Sequence, residues 1–284
     1  MIYILLLTVI VLFSGIIYLL LRAFRNPVRV HDATPGGFNI AYKEVLIPAK
    51  NNKKLYGWQI KGSPDKPVLI LVHGWGRNVG KMLPYIKNLH PKGYGLLVFD
   101  SRNHGHSDAD DHSSMLKFAE DILASVDYLQ KHENITNGIG VIGLSIGGAA
   151  SVYAAAHDNR IKAVVTVGAF ADPVEIMRRE MTRRHIPYFP FVWMLFKVIQ
   201  WKTGKRFSEI APVNNIARAR ARFLIIHGDK DEVVPPEQAY KLINAAGPQK
   251  AKPVIIKNRR HSDCHLEKGF WEIIDNFFKK AFNL

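Results

Sequence analysis

The pentapeptide Gly143-Leu144-Ser145-Ile146-Gly147 is the first place where residue types and spacing point to chemistry. It follows an apolar run at 139–142 and precedes the small residues Gly148, Ala149 and Ala150. A serine between two glycines at a strand-to-helix junction can occupy a sharp turn, because side chains at the flanking positions would meet neighbouring backbone. Such a turn lifts the hydroxyl out of a sheet and sets it at a helix N-terminus, where the positive dipole end favours a developing anion. A second cluster, His73-Gly74-Trp75-Gly76, directly follows the apolar run Val68–Val72. Acyl transfer needs preorganised donors for an oxyanion, and a glycine-flanked turn at a strand end leaves backbone N–H groups free to serve. An ordinary strand-ending turn has the same pattern. Asp100, His104, His106 and Asp108 share one stretch and carry metal-ligating side chains; no metal is expected there. The single cysteine, Cys264, cannot close an intrachain disulfide and lacks a Cys–His nucleophile motif, so it reads as a structural thiol.

Elements must hold these residues in place. Alternating residues at 44–47 and 55–60 predict a hairpin turning at Asn51 and Asn52. Continuous apolar runs at 68–72, 96–99, 139–142, 163–167, 223–226 and 253–256 predict strands buried on both faces. Helical patterns at 81–90, 115–132, 147–157, 236–246 and 265–282 fall between them. Buried strands alternating with helices predict an α/β fold with a mostly parallel central sheet and helices on both faces. Residues 170–210 are too long for one crossover helix and contain Pro187, Pro190 and an apolar run at 191–201, which predicts an inserted cap. The expected divisions are 1–24 as a membrane anchor, 25–43 as a linker, 44–169 with 211–284 as the core, and 170–210 as the cap.

Composition narrows the classes. The chain has 284 residues, 48% hydrophobic and 22% charged, which is the globular range and argues against disorder. Its net charge of +15 would suit nucleic acid, an anionic membrane or acidic substrates. No helix-turn-helix, zinc-finger spacing or RNP-like motif accompanies the charge, so no nucleic-acid partner is expected. The membrane is the better candidate. Residues 1–21 carry no charged side chain, enough for a helix of roughly 30 Å. Arg22, Arg25 and Arg29 follow at once. No basic residue precedes the run and no A-x-A pattern closes it, so an uncleaved single-pass anchor is expected over a signal peptide. The arginines on its C-terminal side place the catalytic domain on the cytoplasmic side. The 191–201 run beside Arg178, Arg179, Arg183 and Arg184 predicts a cap helix that packs over the site as a lid, with contact to anionic lipid as the sharper alternative.

Four motifs in order, His73–Gly76, Phe99-Asp100-Ser101-Arg102-Asn103-His104-Gly105-His106-Ser107, the Ser145 pentapeptide, and His227-Gly228-Asp229-Lys230-Asp231-Glu232-Val233-Val234-Pro235, resemble the α/β-hydrolase superfamily. The pattern is similar to its esterase, monoacylglycerol-lipase-like and serine-aminopeptidase-like branches, not to the haloalkane dehalogenases, whose elbow carries Asp instead of Ser. The resemblance runs from about Val45 to the C-terminus. It implies Ser145 as nucleophile, Asp231 as acid and His261 as base, with Asp229 and His265 as rivals. It further implies the N–H groups of Trp75 and Ile146 as an oxyanion hole, a structural role for the Asp100 stretch, and no cofactor. The order Ser…Asp…His is the hydrolase order. Arg259 and Arg260 stand before His261 where many relatives have small residues. The implied activity is hydrolysis of carboxylic esters with apolar or lipid-derived acyl groups. A peptidase, amidase or acyl-protein thioesterase would use the same triad, and a non-catalytic binding module is the remaining class.

Overall fold

The computed structural model describes residues 1–284 except Phe24, Arg25, Pro27, Asn134 and Thr136. Within the first helix, the side chains of Leu5, Leu6, Val9, Ile10, Ile16, Ile17, Leu19, Leu20, Leu21, Arg22 and Ala23 also fall outside the described set. Eight strands form one sheet: β1 (Lys43–Pro48), β2 (Lys54–Ile60), β3 (Val68–Val72), β4 (Gly95–Phe99), β5 (Ile139–Leu144), β6 (Ile161–Val167), β7 (Arg222–Gly228) and β8 (Ala251–Ile256). Their order is β1-β2-β4-β3-β5-β6-β7-β8. Only β1 with β2 and β2 with β4 pair antiparallel; the other neighbours are parallel. Every strand expected from its apolar run is present. The β1–β2 turn takes Asn51 and Asn52 through φ of 59° and 53°, a conformation asparagine tolerates because its side chain can bond locally.

The helices, in chain order, are α1 (Ile2–Ala23), α2 (Leu83–Leu89), α3 (Met115–His132), α4 (Ile146–His157), α5 (Pro173–Arg183), α6 (Trp193–Thr203), α7 (Phe207–Ile210), α8 (Pro212–Asn215), α9 (Glu237–Ala246) and α10 (Phe270–Phe282). On one face of the sheet α3, α4 and α9 bury Phe118, Ile122, Val126, Val152 and Leu242 against the strands. On the other face α2 and α10 bury Ile86, Leu89, Phe270, Ile274 and Phe278. Two expected helices are shorter than their patterns. The 81–90 pattern breaks into a 3-10 turn, α2 with its proline in the first turn, and a second 3-10 turn at His90–Lys92. The C-terminal helix begins at Phe270, not at 265, because Gly269 sits at φ 81° and ends the preceding turn.

Between β6 and β7, where a cap was expected, the chain forms α5, α6, α7 and α8. The 191–201 run is two-sided, however. Leu195 and Phe196 are buried, while Trp193, Lys197 and Trp201 are exposed. In the stretch expected as a linker, residues 29–40 pack on the core. Asn78 donates from Nδ2 to Arg29 O at 2.8 Å, Pro35 and Ile40 are buried, and the His31 ring packs on Tyr56, Trp58 and His106.

The expected single-pass anchor needs correction. Residues Ile2–Ala23 do form a helix. Among the described residues, though, no helix is long and apolar enough to cross a membrane. The side chain of Arg22 and all of Arg25, on which the expected orientation rested, lie outside the described residues. Instead of standing apart, α1 meets the cap: Phe13 stacks on Phe191 with ring centroids 6.1 Å apart.

Candidate active site

Ser145 joins β5 to α4 at φ 53° and ψ −119°, a backbone region that costs a non-glycine residue strain. Two close approaches hold the turn. A Cβ on Gly147 would lie 2.5 Å from His73 O, and one on Gly143 would lie 2.4 Å from Gly147 O. Both positions therefore exclude side chains, as the pentapeptide suggested. The Ser145 N–H donates to Val167 O at 2.8 Å, which ties the turn to the end of β6. Ile146 opens α4, so its N–H has no intrahelical acceptor.

The His73–Gly76 turn abuts the serine: a Cβ on Gly74 would be 3.5 Å from Ser145 Cβ. Two histidines shape this turn. His73 Nε2 accepts the Ser101 N–H at 3.0 Å, so the ring proton is on Nδ1, which donates to Gly74 O at 2.8 Å. Burial, reinforced by the neighbouring His104, pushes the His73 pKa down to about 3. His104 Nε2 accepts the Gly76 N–H at 3.2 Å while its Nδ1 donates to Arg102 O at 3.0 Å, and burial lowers its pKa too. The Gly76 N–H is thus engaged. Among the described residues, the Trp75 and Ile146 N–H groups have no acceptor.

Asp231 and His261 come together from the ends of β7 and β8. Asp231 Oδ2 accepts from His261 Nδ1 at 2.7 Å. Its Oδ1 accepts the N–H groups of Val233 at 3.0 Å and Val234 at 2.8 Å. His227 reaches the same carboxylate: its Nε2 is 3.2 Å from Asp231 Oδ2 and 2.8 Å from Val234 O. Burial alone would raise the Asp231 pKa. The hydrogen bonds from His227, His261 and the Val234 N–H outweigh it and hold the value down at about 2. A carboxylate so held stays ionised at neutral pH and accepts the Nδ1–H of His261, an arrangement able to leave Nε2 as the lone-pair nitrogen. Gly168, next to the Val167 that holds Ser145, would place a Cβ 3.1 Å from His261 Nδ1. Serine turn and imidazole therefore converge on the end of β6. A Ser145–His261 hydrogen bond is not formed among the described residues; such bonds commonly tighten only when substrate binds.

The rivals lie elsewhere. Asp229 is exposed, and its Oδ1 accepts the Asn258 N–H at 2.6 Å. His265 packs near Tyr85, with centroids 6.5 Å apart. Arg259 turns away to Glu267 at 3.0 Å, so the arginines before His261 leave its pairing with Asp231 intact.

The Asp100 stretch is built as scaffold. Asp100 accepts the Val79 N–H at 2.7 Å and the His106 N–H at 2.9 Å, and burial raises its pKa to about 7. Buried Arg102 pairs with Asp121 at 2.6 Å, Glu120 at 2.7 Å and Asp110 at 3.2 Å. Of the metal-ligating residues noted in the sequence, Asp100 and His106 come together with His31, their ligand atoms within 4.8 Å of one another. His104 and Asp108 are spent on the backbone of Gly76 and Lys54. Two residues that shape the site, His104 and His227, were not singled out for it in the sequence. Each lies inside a quoted motif, but the contact that gives it a role spans the fold or a turn.

An eight-stranded sheet in this order, with a serine on a strand-to-helix elbow, defines the α/β-hydrolase class. The structure of the Pyrococcus furiosus esterase Pf2001 superposes with a TM-score of 0.74 at 22% identity, covering 91% of this chain and 97% of that one. The chain belongs to the prolyl oligopeptidase family, whose profile matches residues 112–269. An uncharacterised 31.7 kDa protein of Escherichia coli is 34% identical over 268 residues, 78% of this chain and 93% of the relative. Protein bem46 of Schizosaccharomyces pombe is 25% identical over 261 residues, 90% of this chain and 82% of the relative.

Proposed function

We propose that this hydrolase is a serine esterase acting on carboxylic esters with apolar acyl groups. In this reading Ser145 Oγ attacks the ester carbonyl while His261 Nε2 takes its proton. The oxyanion is held by the N–H groups of Trp75 and Ile146. The imidazolium then gives its proton to the departing alkoxide, which leaves an acyl-Ser145 ester. Water, deprotonated by the same imidazole, releases the carboxylic acid and restores the serine. Asp231 keeps the imidazole in its tautomer and stabilises the imidazolium. The observation that carries the reading is the 2.7 Å Asp231–His261 hydrogen bond beside a serine held at φ 53°.

Labelling of the folded protein by a fluorophosphonate probe tests it, with loss of label in Ser145→Ala. No label on folded wild-type protein would favour a non-catalytic binding module. The match to a peptidase family favours a second reading, amide hydrolysis of short peptides on the same triad. A panel of p-nitrophenyl esters of graded length, aminoacyl anilides and thioesters separates the two and also tests a thioesterase. The apolar α1 supports association with a membrane.

A further inference from the structure

We propose that α1 and the cap form one lipid-seated face: α1 lies along the surface of an anionic bilayer beside α6, without crossing it, and ester substrate passes from the lipid to Ser145 through the cap. The inference rests on the esterase reading of that serine.

Its first support is the position of the Phe13–Phe191 contact. Ile2, Tyr3, Ile4, Leu7, Val11, Leu12 and Tyr18 are exposed, while Phe13 is half-buried where it stacks on Phe191. An exposed apolar surface of that extent needs a cover. Phe13 lies ten residues before the end of the helix at Ala23, about 15 Å along the axis. Were α1 to cross a hydrocarbon core of about 30 Å, Phe191 would sit near its middle. The exposed Lys197 of α6, six residues from Phe191, would be drawn into lipid with it, at high cost. With α1 lying flat, Phe13 stays against the cap, the exposed residues named above face lipid, and Lys197 stays at the head groups.

The second support is the cap itself. Its inner side buries Leu195 and Phe196, whereas Trp201 is 82% exposed, Phe189 71% and Trp193 40%. Aromatic side chains of this kind favour the membrane interface. Residues 173–206 hold eight Lys and Arg against two Glu. The Arg178 guanidinium lies 4.1 Å from the Tyr188 ring centre, so the basic side of α5 borders the aromatic cluster. Basic side chains flanking exposed aromatics complement anionic head groups. The cap leaves the sheet just after Val167, the residue whose carbonyl holds the Ser145 N–H.

The test uses the full chain with an N-terminal epitope, mixed with sealed phosphatidylcholine vesicles with or without phosphatidylglycerol. Binding should favour the anionic vesicles and weaken in high salt, and protease added outside should digest the epitope together with the domain. An epitope protected while the domain is digested means α1 crosses the bilayer and overturns the proposal, as does equal binding to both vesicles at low salt. A Phe189→Ser/Trp193→Ser/Trp201→Ser variant should lose about tenfold or more on a long-chain umbelliferyl ester held in vesicles, yet stay within about twofold on soluble p-nitrophenyl butyrate. Equal effects on the two substrates also overturn it. If the wild type hydrolyses neither ester, the esterase reading has failed, while vesicle binding and epitope digestion still judge the lipid-seated face.

Discussion

Asp231 and Asp229 sit two residues apart, yet their surroundings assign them opposite work. One is buried, accepts from His261 and is reached by His227; the other is exposed and accepts a loop N–H. Asp231→Asn should therefore lower kcat/KM by about 10³-fold or more, since only that carboxylate fixes the imidazole tautomer, whereas Asp229→Asn should stay within about tenfold. The reverse ranking in steady-state kinetics would move the acid to Asp229. His73 makes a prediction about pH. Its folded pKa is lowered to about 3 from an ordinary 6.5. Between these values the unfolded chain binds the proton and the fold does not, so stability rises with pH across that window and is complete above it. Asp100, raised to about 7, works in the opposite sense over the same range, so the test is the difference between proteins: from pH 4 to pH 7 the slope of Tm against pH should be smaller in His73→Gln than in wild type, and an unchanged slope would show that His73 makes no such contribution. Ser145 and Asp231 stand in short motifs whose spacing is local, so the sequence could nominate them; His261 belongs to no such motif and was nominated through the resemblance and its place after the last strand. The partners of His104 and His227 were not legible there, because a hydrogen bond across a folded turn leaves no periodic trace.

At the scale of elements, the runs that became β3 to β8 were readable because a strand buried on both faces must be apolar throughout. Ends were harder. Nothing in the 265–282 pattern marks the break at Gly269 except the glycine, and a glycine inside a helical pattern is often tolerated. The Arg102 cluster joins the loop after β4 to α3 through Asp121, Glu120 and the Lys117 carbonyl. Removing the arginine would leave buried Asp121 without its charge partner. Arg102→Met should therefore cost about 3–5 kcal/mol, whereas exposed Arg184, paired with Glu180 at 2.6 Å, should cost about 0–1 kcal/mol when changed to Met. Urea unfolding of the two variants decides it, and similar losses would deny the cluster its structural role. The Ser145 elbow gives a matching contrast. Gly147→Ala meets backbone at 2.5 Å and should cost about 1–3 kcal/mol, while Gly37→Ala, with nothing within 4 Å, should be near neutral by the same measurement.

The whole molecule combines a hydrolase core with a strongly basic balance and an apolar first helix. The core was legible from motif order and strand spacing, and the sheet order agrees with it. The relation of α1 to the rest was not legible, because a run of apolar residues satisfies a crossing helix, a lipid-seated helix and a packed one alike; the Phe13–Phe191 contact is a tertiary fact. What makes the molecule an enzyme in this account is a single hydroxyl on a strained turn. The most direct measurement is hydrolysis of a p-nitrophenyl ester by wild type and Ser145→Ala, with thermal unfolding of both as the control for folding. The expected result is a loss on the order of 10³-fold or more with an unchanged unfolding transition. Near-wild-type hydrolysis by the folded Ser145→Ala protein would contradict it.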